Sequence, residues 1–348
     1  MSVEGKSPDA TLMYAEAGEA GATLARQLRE NDAVVRELAE RLRATPPAFV
    51  ATCARGSSDH AATYAKYAFE TRTGTVTASA SPSVSSVYGA PMRLEEALYI
   101  AISQSGKSPD LVANAMAARK AGAHVVAMVN VEDSPLAEAA DTVIGLKAGP
   151  ERSVAATKSY LGALGAIAHL TAHWSGDAAL LSALEAMPAA LDKAAAADWT
   201  PLVDGLVEAN NLFVLGRGYG FGAAQEAALK FKETCGLHAE GFSTAEVKHG
   251  PMAIVGKDFP VLMFTQDDGT LDGAREVARE FRRRGARVWT VEPGDRHADA
   301  LPSVAAPHAM YAPLLAVQSF YRAVNALALR RGHDPDVPPH LNKVTETV

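Results

Sequence analysis

Short apolar runs organise the chain; each breaks at glycine or serine and is followed by a segment of helical period. Phe49-Val50-Ala51-Thr52-Cys53 runs into Arg55-Gly56-Ser57-Ser58, and Leu98-Tyr99-Ile100-Ala101-Ile102 runs into Ser103-Gln104-Ser105-Gly106. A third run, Val125 to Val129, follows Gly122. An apolar run without alternation predicts a strand covered on both faces, as in a parallel sheet. Between the runs the pattern predicts helices from His60 to Glu70 and from Leu111 to Lys120, and a short strand beginning at Val76-Thr77. Residues 12–44 read as a helical lead-in whose apolar face is Leu24, Leu28, Val34, Leu38 and Leu42.

The second half repeats this order. NLFVLGRGYG echoes AFVATCARGS, VLMFTQDDG echoes YIAISQSGK, and GARVWTVEP echoes GAHVVAMVN. The offset is 162 residues from Gly56 to Gly218 and from Gln104 to Gln266, and 163 from Val125 to Val288. A near-constant offset at separate strand ends predicts a duplicated α/β unit, that is, two tandem doubly wound parallel sheets. The expected organisation is a lead-in over 1–45, domains over 46–180 and 200–335, and a C-terminal tail over 336–348. The connection over 176–205 is Ala- and Leu-rich and reads as helical.

Acid–base groups are concentrated between Glu226 and Pro251. From Ala223 to Leu237 the period is helical, with Ala227, Ala228, Phe231, Thr234 and Cys235 on one face. Glu226, Lys230 and Glu233 lie along a neighbouring face. Gly236 ends the helix, a loop through Gly241, Ser243 and Thr244 follows, and a turn with Glu246, Lys248 and His249 closes at Gly250-Pro251. On a solvated helix, Glu226 and Lys230 would form an i,i+4 pair worth roughly 0.2–0.5 kcal/mol. His249 changes that reading, because a carboxylate and an imidazole together can move a proton beside a carbonyl.

Open parallel sheets bind ligands beyond the carboxyl ends of their strands. There the first repeat places Ser103, Gln104, Ser105, Gly106 and Ser108 just before a helix, and Ser58 follows the first strand. Hydroxyls and free N–H groups at a helix N-terminus suit a phosphate. An ordinary turn with Ser108 as N-cap is the alternative. The second repeat has Asp267 and Asp268 in place of Ser105 and Gly106, so only the first repeat is expected to take an anion.

Composition narrows the class. The 348 residues are 48% hydrophobic and 21% charged, with a net charge of −7, which suits two globular domains and argues against nucleic acid or anionic membranes as partners. No apolar run reaches the ~18–20 residues of a spanning helix. The polar start MSVEGKSPDA is neither a signal nor a transit peptide, and Cys53 and Cys235 in unrelated settings fit a reduced cytoplasm. Gly106-Lys107-Ser108 lacks the glycine a Walker A loop needs at 101, Phe221 breaks a dinucleotide fingerprint starting at Gly216, and no C-x-x-C follows His238-Ala239-Glu240. No metal site is read from the sequence.

SQSGKS, ALKFKE, HAE, EVKHGP and PPHLNKVTETV, in that order, resemble the sugar isomerase (SIS) superfamily. The likeness is to the isomerase half of glutamine–fructose-6-phosphate aminotransferase, from Tyr14 to Val348. The resemblance implies two flavodoxin-like SIS domains, a sugar-phosphate substrate, no cofactor, and a homodimer with a shared active site. It implies that Ser58, Ser103, Gln104, Ser105 and Ser108 bind the phosphate and that Glu233 moves a proton between C1 and C2. His249 would open the pyranose ring from the neighbouring subunit, and Lys343 would reach the open-chain sugar, either forming an imine with it or serving only as an electrostatic partner. Lys230 would be a further active-site lysine, and Val154 a backbone contact to the sugar.

The synthase also carries a glutaminase domain, whereas this chain reaches the isomerase lead-in soon after Met1-Ser2. Stand-alone relatives of this kind include a glucosamine-6-phosphate deaminase, and the resemblance implies that activity here, in the cytoplasm. Pro339, Asn342, Ala156 and Lys107 depart from the synthase pattern but leave the phosphate residues and the base in place. Another phosphosugar aldose–ketose isomerase, a fructosyl-amine-6-phosphate deglycase and a non-catalytic phosphosugar sensor are the alternatives.

Overall fold

The computed structural model describes residues 5–292 and 297–343. In a first sheet, β1 (Phe49–Cys53), β2 (Thr77–Ser79), β3 (Ala97–Ser103), β4 (His124–Val129) and β5 (Thr142–Gly145) lie in the order β2-β1-β3-β4-β5. Every pairing is parallel. β3 is buried at all its positions, as its unbroken apolar run requires. Helices Ser57–Thr73, Pro109–Lys120 and Lys158–Ser175 pack on this sheet.

In a second sheet, β6 (Asn211–Gly216), β7 (His238–Ser243), β8 (Pro260–Phe264) and β9 (Arg287–Val291) lie in the order β7-β6-β8-β9, again all parallel. With β6 matched to β1, the order repeats over four strands. The sequence repeat is thus a repeat of topology. Helix Gly220–Cys235 follows β6 as Ser57–Thr73 follows β1, and Leu271–Arg283 follows β8 as Pro109–Lys120 follows β3. Each sheet has its own apolar core, with Cys53, Tyr99, Leu111 and Val125 in the first and Phe213, Leu215, Met263 and Phe281 in the second.

Residues 238–244, expected as a loop, instead form β7 as far as Ser243. HAEGFS has little strand propensity, and main-chain pairing with β6 overrides it. β5 and β7 are edge strands with mixed burial, so neither carries the continuous apolar run that marks an interior strand. The lead-in is three helices, Leu12–Ala17, Ala20–Glu30 and Asp32–Ala44. Leu24, Leu38 and Leu42 are buried, but Leu28 is half-buried and Val35, not Val34, points inward. The chain breaks at Asn31, whose side-chain amide donates to the Gly145 carbonyl (2.7 Å), and the next helix begins in a new phase.

The described residues fall into two compact units. The first-sheet unit holds 22–151, 158–185 and 342–343, and the second-sheet unit holds 5–21, 152–157 and 186–341. The lead-in is therefore divided at Gly21. Residues 152–157 join the second-sheet unit through specific bonds. The Glu16 carboxylate accepts from the N–H groups of Arg152 (2.5 Å) and Ser153 (3.2 Å), and Val154 N–H donates to the Asp336 carbonyl (3.2 Å). The Asp336 carboxylate accepts in turn from Leu12 and Met13 N–H at 2.9 and 2.8 Å. Residues 1–4 of the expected lead-in and 344–348 of the expected tail lie outside the described residues.

Candidate functional site

β1 and β3 are neighbours, so the loops leaving their carboxyl ends emerge side by side. After β3, Ser103 is buried and its hydroxyl accepts from Gly106 N–H (3.0 Å), while Ser105 Oγ accepts from Lys107 N–H (3.3 Å). Gly106 has φ +63°, and a Cβ there would come within 2.1 Å of Ser134 Oγ; only glycine permits this turn. Ser108 occupies the N-cap of Pro109–Lys120 but makes no side-chain capping bond, which disfavours the plain N-cap reading. Gln104 is half-buried, and Ser58 lies in the first turn of its own helix. Arg55 Nε and Nη2 donate to Asp110 Oδ2 at 2.9 and 2.7 Å and so tie the two loops together. Hydroxyls and a helix N-terminus collected in this way suit an anion.

The corresponding loop after β8 is closed on itself. Gln266 is buried, with Nε2 at 2.7 Å from the Arg217 carbonyl, 3.0 Å from Thr270 Oγ1 and 3.2 Å from Asp268 Oδ2. Asp268 Oδ1 accepts from Thr270 N–H (2.8 Å) and Thr270 Oγ1 (2.6 Å). Its donors are committed and its charges are negative, so this loop disfavours phosphate.

On Gly220–Cys235 the expected apolar face is buried: Ala227, Ala228, Phe231, Thr234 and Cys235. The neighbouring face is not solvated either, which corrects the surface-pair reading. Glu226 is 0% and Lys230 1% exposed. Lys230 Nζ lies 3.3 Å from Glu226 Oε1 and 2.6 Å from Glu233 Oε2, and Tyr321 OH donates to Glu226 Oε1 (3.0 Å). Burial opposes the ammonium charge, but the two carboxylates outweigh it and raise the Lys230 pKa above its ordinary value. Glu233 stands at the open end of the array, its side chain 21% exposed. Its Oε2 is on Lys230, and Oε1 makes no hydrogen bond among the described residues.

His249 ends the short 3-10 turn Glu246–His249, which Val247 anchors in the second core. The imidazole is exposed and has no hydrogen bond or ion pair among the described residues. Lys343 Nζ lies 2.9 Å from Glu151 Oε2. Glu151 is buried and also accepts from Ser159 N–H (3.0 Å) and Ser159 Oγ (2.6 Å), at the start of Lys158–Ser175. Ser58, Ser103, Gln104, Ser105, Ser108 and Lys343 thus belong to the first-sheet unit, and Val154, Lys230, Glu233 and His249 to the second. Burial pushes the Cys53 thiol up to about 11 and Cys235 up to about 12, so neither is a thiolate nucleophile near neutral pH.

The SIS domain family matches residues 50–172 and 205–330, well over half of the chain. The chain belongs to the SIS domain family. Among SIS relatives, the glutamine–fructose-6-phosphate aminotransferase (isomerizing) of Pyrobaculum aerophilum is 35% identical over 261 residues, covering 71% of this chain and 43% of that protein. The chain spans about half the length of the curated relatives it matches. A proposed phosphosugar isomerase from Silicibacter pomeroyi DSS-3 is 44% identical, with a TM-score of 0.89 covering 94% of this chain and 100% of the other. Glucosamine-6-phosphate deaminase from Thermotoga maritima superposes with a TM-score of 0.73 over 94% and 99% of the two chains; at 22% identity the likeness is one of fold.

Arg55, Asp110, Glu151 and Tyr321 hold these candidate groups in place without having stood out in the sequence of this SIS chain. Arg55 and Asp110 each adjoin a loop already singled out, but their pairing across 55 positions depends on β1 lying beside β3. Glu151 precedes Val154 in GPERSVAATKSY, and an acid just before a helix start was its available signal. Tyr321, 95 residues from Glu226, had none. Among the described residues, no helix is long and apolar enough to cross a membrane.

Proposed function

We propose that this SIS chain is a glucosamine-6-phosphate deaminase, converting glucosamine 6-phosphate and water to fructose 6-phosphate and ammonia. The observation that carries the reading is the Glu226–Lys230–Glu233 array, in which a buried ammonium orients a carboxylate and leaves one of its oxygens for a carbon acid. The relatives' names, an isomerizing aminotransferase and a deaminase, direct that chemistry toward aminosugar phosphates.

The loop after β3 takes the phosphate. His249 transfers a proton to the ring oxygen as the pyranose opens to the C1 aldehyde. Glu233 removes the C2 proton to give an enolamine, and a proton returned to C1 yields a 2-imino ketose. Water adds to that imine, and ammonia leaves. Lys343, steered by Glu151, supplies a cation to the oxygen on C1. The reading includes a homodimer in which His249 of the partner subunit serves the substrate, in keeping with an exposed imidazole without partners among the described residues of its own chain.

The test is incubation with glucosamine 6-phosphate, following ammonia and fructose 6-phosphate together. Equimolar release is expected, falling about 10²–10⁴-fold in Glu233→Gln, the usual span for a lost general base. Mixed dimers of Glu233→Gln with His249→Ala should recover part of the activity. Turnover of glucose 6-phosphate or a fructosyl-amine 6-phosphate without ammonia from glucosamine 6-phosphate would reject the substrate assignment. Binding of sugar phosphates with no turnover at all would make the protein a sensor.

A further inference from the structure

Helix Lys158–Ser175 carries His169 and His173 one turn apart, and helix Asp32–Ala44 begins beside them with Asp32. All three residues belong to the first-sheet unit. The imidazole centroids are 5.0 Å apart, and His173 Nε2 lies 3.8 Å from Asp32 Oδ1. One donor atom from each of the three lies within 4.8 Å of the others. His169 is 3% exposed, and its Nδ1 is buried with no hydrogen-bond partner among the described residues. A buried polar atom left so costs on the order of 1–3 kcal/mol.

We propose that Asp32, His169 and His173 form a binding site for a divalent ion of the zinc class. Two imidazoles and one carboxylate are a borderline donor set, suited to Zn²⁺, Co²⁺ or Ni²⁺ rather than Mg²⁺ or Ca²⁺. Each imidazole would give a ring-nitrogen lone pair to the ion, which displaces any proton held there. Donors around a tetrahedral ion at ~2.0–2.1 Å stand about 3.3 Å apart, a closure that side-chain rotation supplies. Asp32, with a side chain 42% exposed, leaves room for water as a further ligand.

One group opposes the ion. Arg36 Nε holds Asp32 Oδ1 at 3.0 Å and must yield that oxygen, while Arg43 sits on the His173 carbonyl. His173 is fourteen positions along the helix from Ser159, which holds Glu151, or about 21 Å at 1.5 Å per residue. The ion is accordingly a clip between two helices and takes no part in the sugar chemistry.

Chelator-treated full chain titrated calorimetrically with Zn²⁺, and followed by Co²⁺ absorption, should bind one ion per chain at this site and melt at a higher temperature when loaded. His173→Gln and Asp32→Asn should each weaken binding tenfold or more, and Arg36→Gln should tighten it. Turnover of sugar phosphate should not respond to any of the three. Asp32 and Arg36 lie on the exposed side of their helix, so their variants fold even if a histidine variant does not. Failure to bind micromolar Zn²⁺, or a stoichiometry and affinity that Asp32→Asn and Arg36→Gln leave unchanged, would overturn the site and assign any binding to scattered surface histidines.

Discussion

The two halves of the chain repeat one strand order and diverge where an α/β unit meets its ligand. After β3 the first half has serine hydroxyls and a glycine turn, with no carboxylate from 103 to 108. After β8 the second half has Gln266, Asp268 and Thr270 bonded to one another. The helices after β1 and β6 diverge in the opposite sense. At the 162-residue offset, Glu226, Lys230 and Glu233 correspond to Tyr64, Ala68 and Thr71, so the acid–base array belongs to the second half alone. Strand interiors must stay apolar to preserve the sheets, whereas strand-end loops and one helix face are free to differ. On the proposed reading, the duplicated scaffold divides anion recognition from proton chemistry.

The largest effect is expected from removing the charge array that only the second half has. Glu226→Leu leaves Lys230 buried with less compensation and takes an acceptor from Tyr321. A loss of about 3–5 kcal/mol of unfolding free energy is expected in a denaturant titration. A loss below about 1 kcal/mol would mean that the ammonium does not depend on the array. The next effect comes from erasing the difference between the loops. Ser105→Asp gives the first loop the acid that its counterpart carries and should lower kcat/KM about a hundredfold, or about 2.7 kcal/mol, through KM. An unaltered KM would remove the loop from phosphate binding. The smallest is Asp268→Ala, which opens the second loop. A stability loss of about 1 kcal/mol is expected, with no change in turnover; altered turnover would give that loop a part in the chemistry.

Residue pattern made much of this legible. β1, β3 and β4 announced themselves as unbroken apolar runs, and the repeat with offsets of 162 and 163 foretold the second sheet. The edge strands β5 and β7 stayed hidden because hydrogen bonding to a neighbour, not side-chain pattern, makes them strands. Among the candidate residues, serines at a strand end and a histidine before Gly-Pro were visible by residue type. The burial of Glu226 and Lys230 was not, because spacing places residues on one helix face without saying what covers it.

By itself the sequence determined what depends on neighbours a few positions away: interior strands, helical period, the repeat, and the chemical types at each strand end. Tertiary structure alone decided the distant pairings, Arg55 with Asp110, Glu151 with Lys343 and Asp32 beside His169 and His173. These follow from which strands and helices come to lie side by side. It also decided that Lys230 keeps its charge in the interior, since both desolvation and the attraction of nearby carboxylates are set by the surroundings that folding supplies.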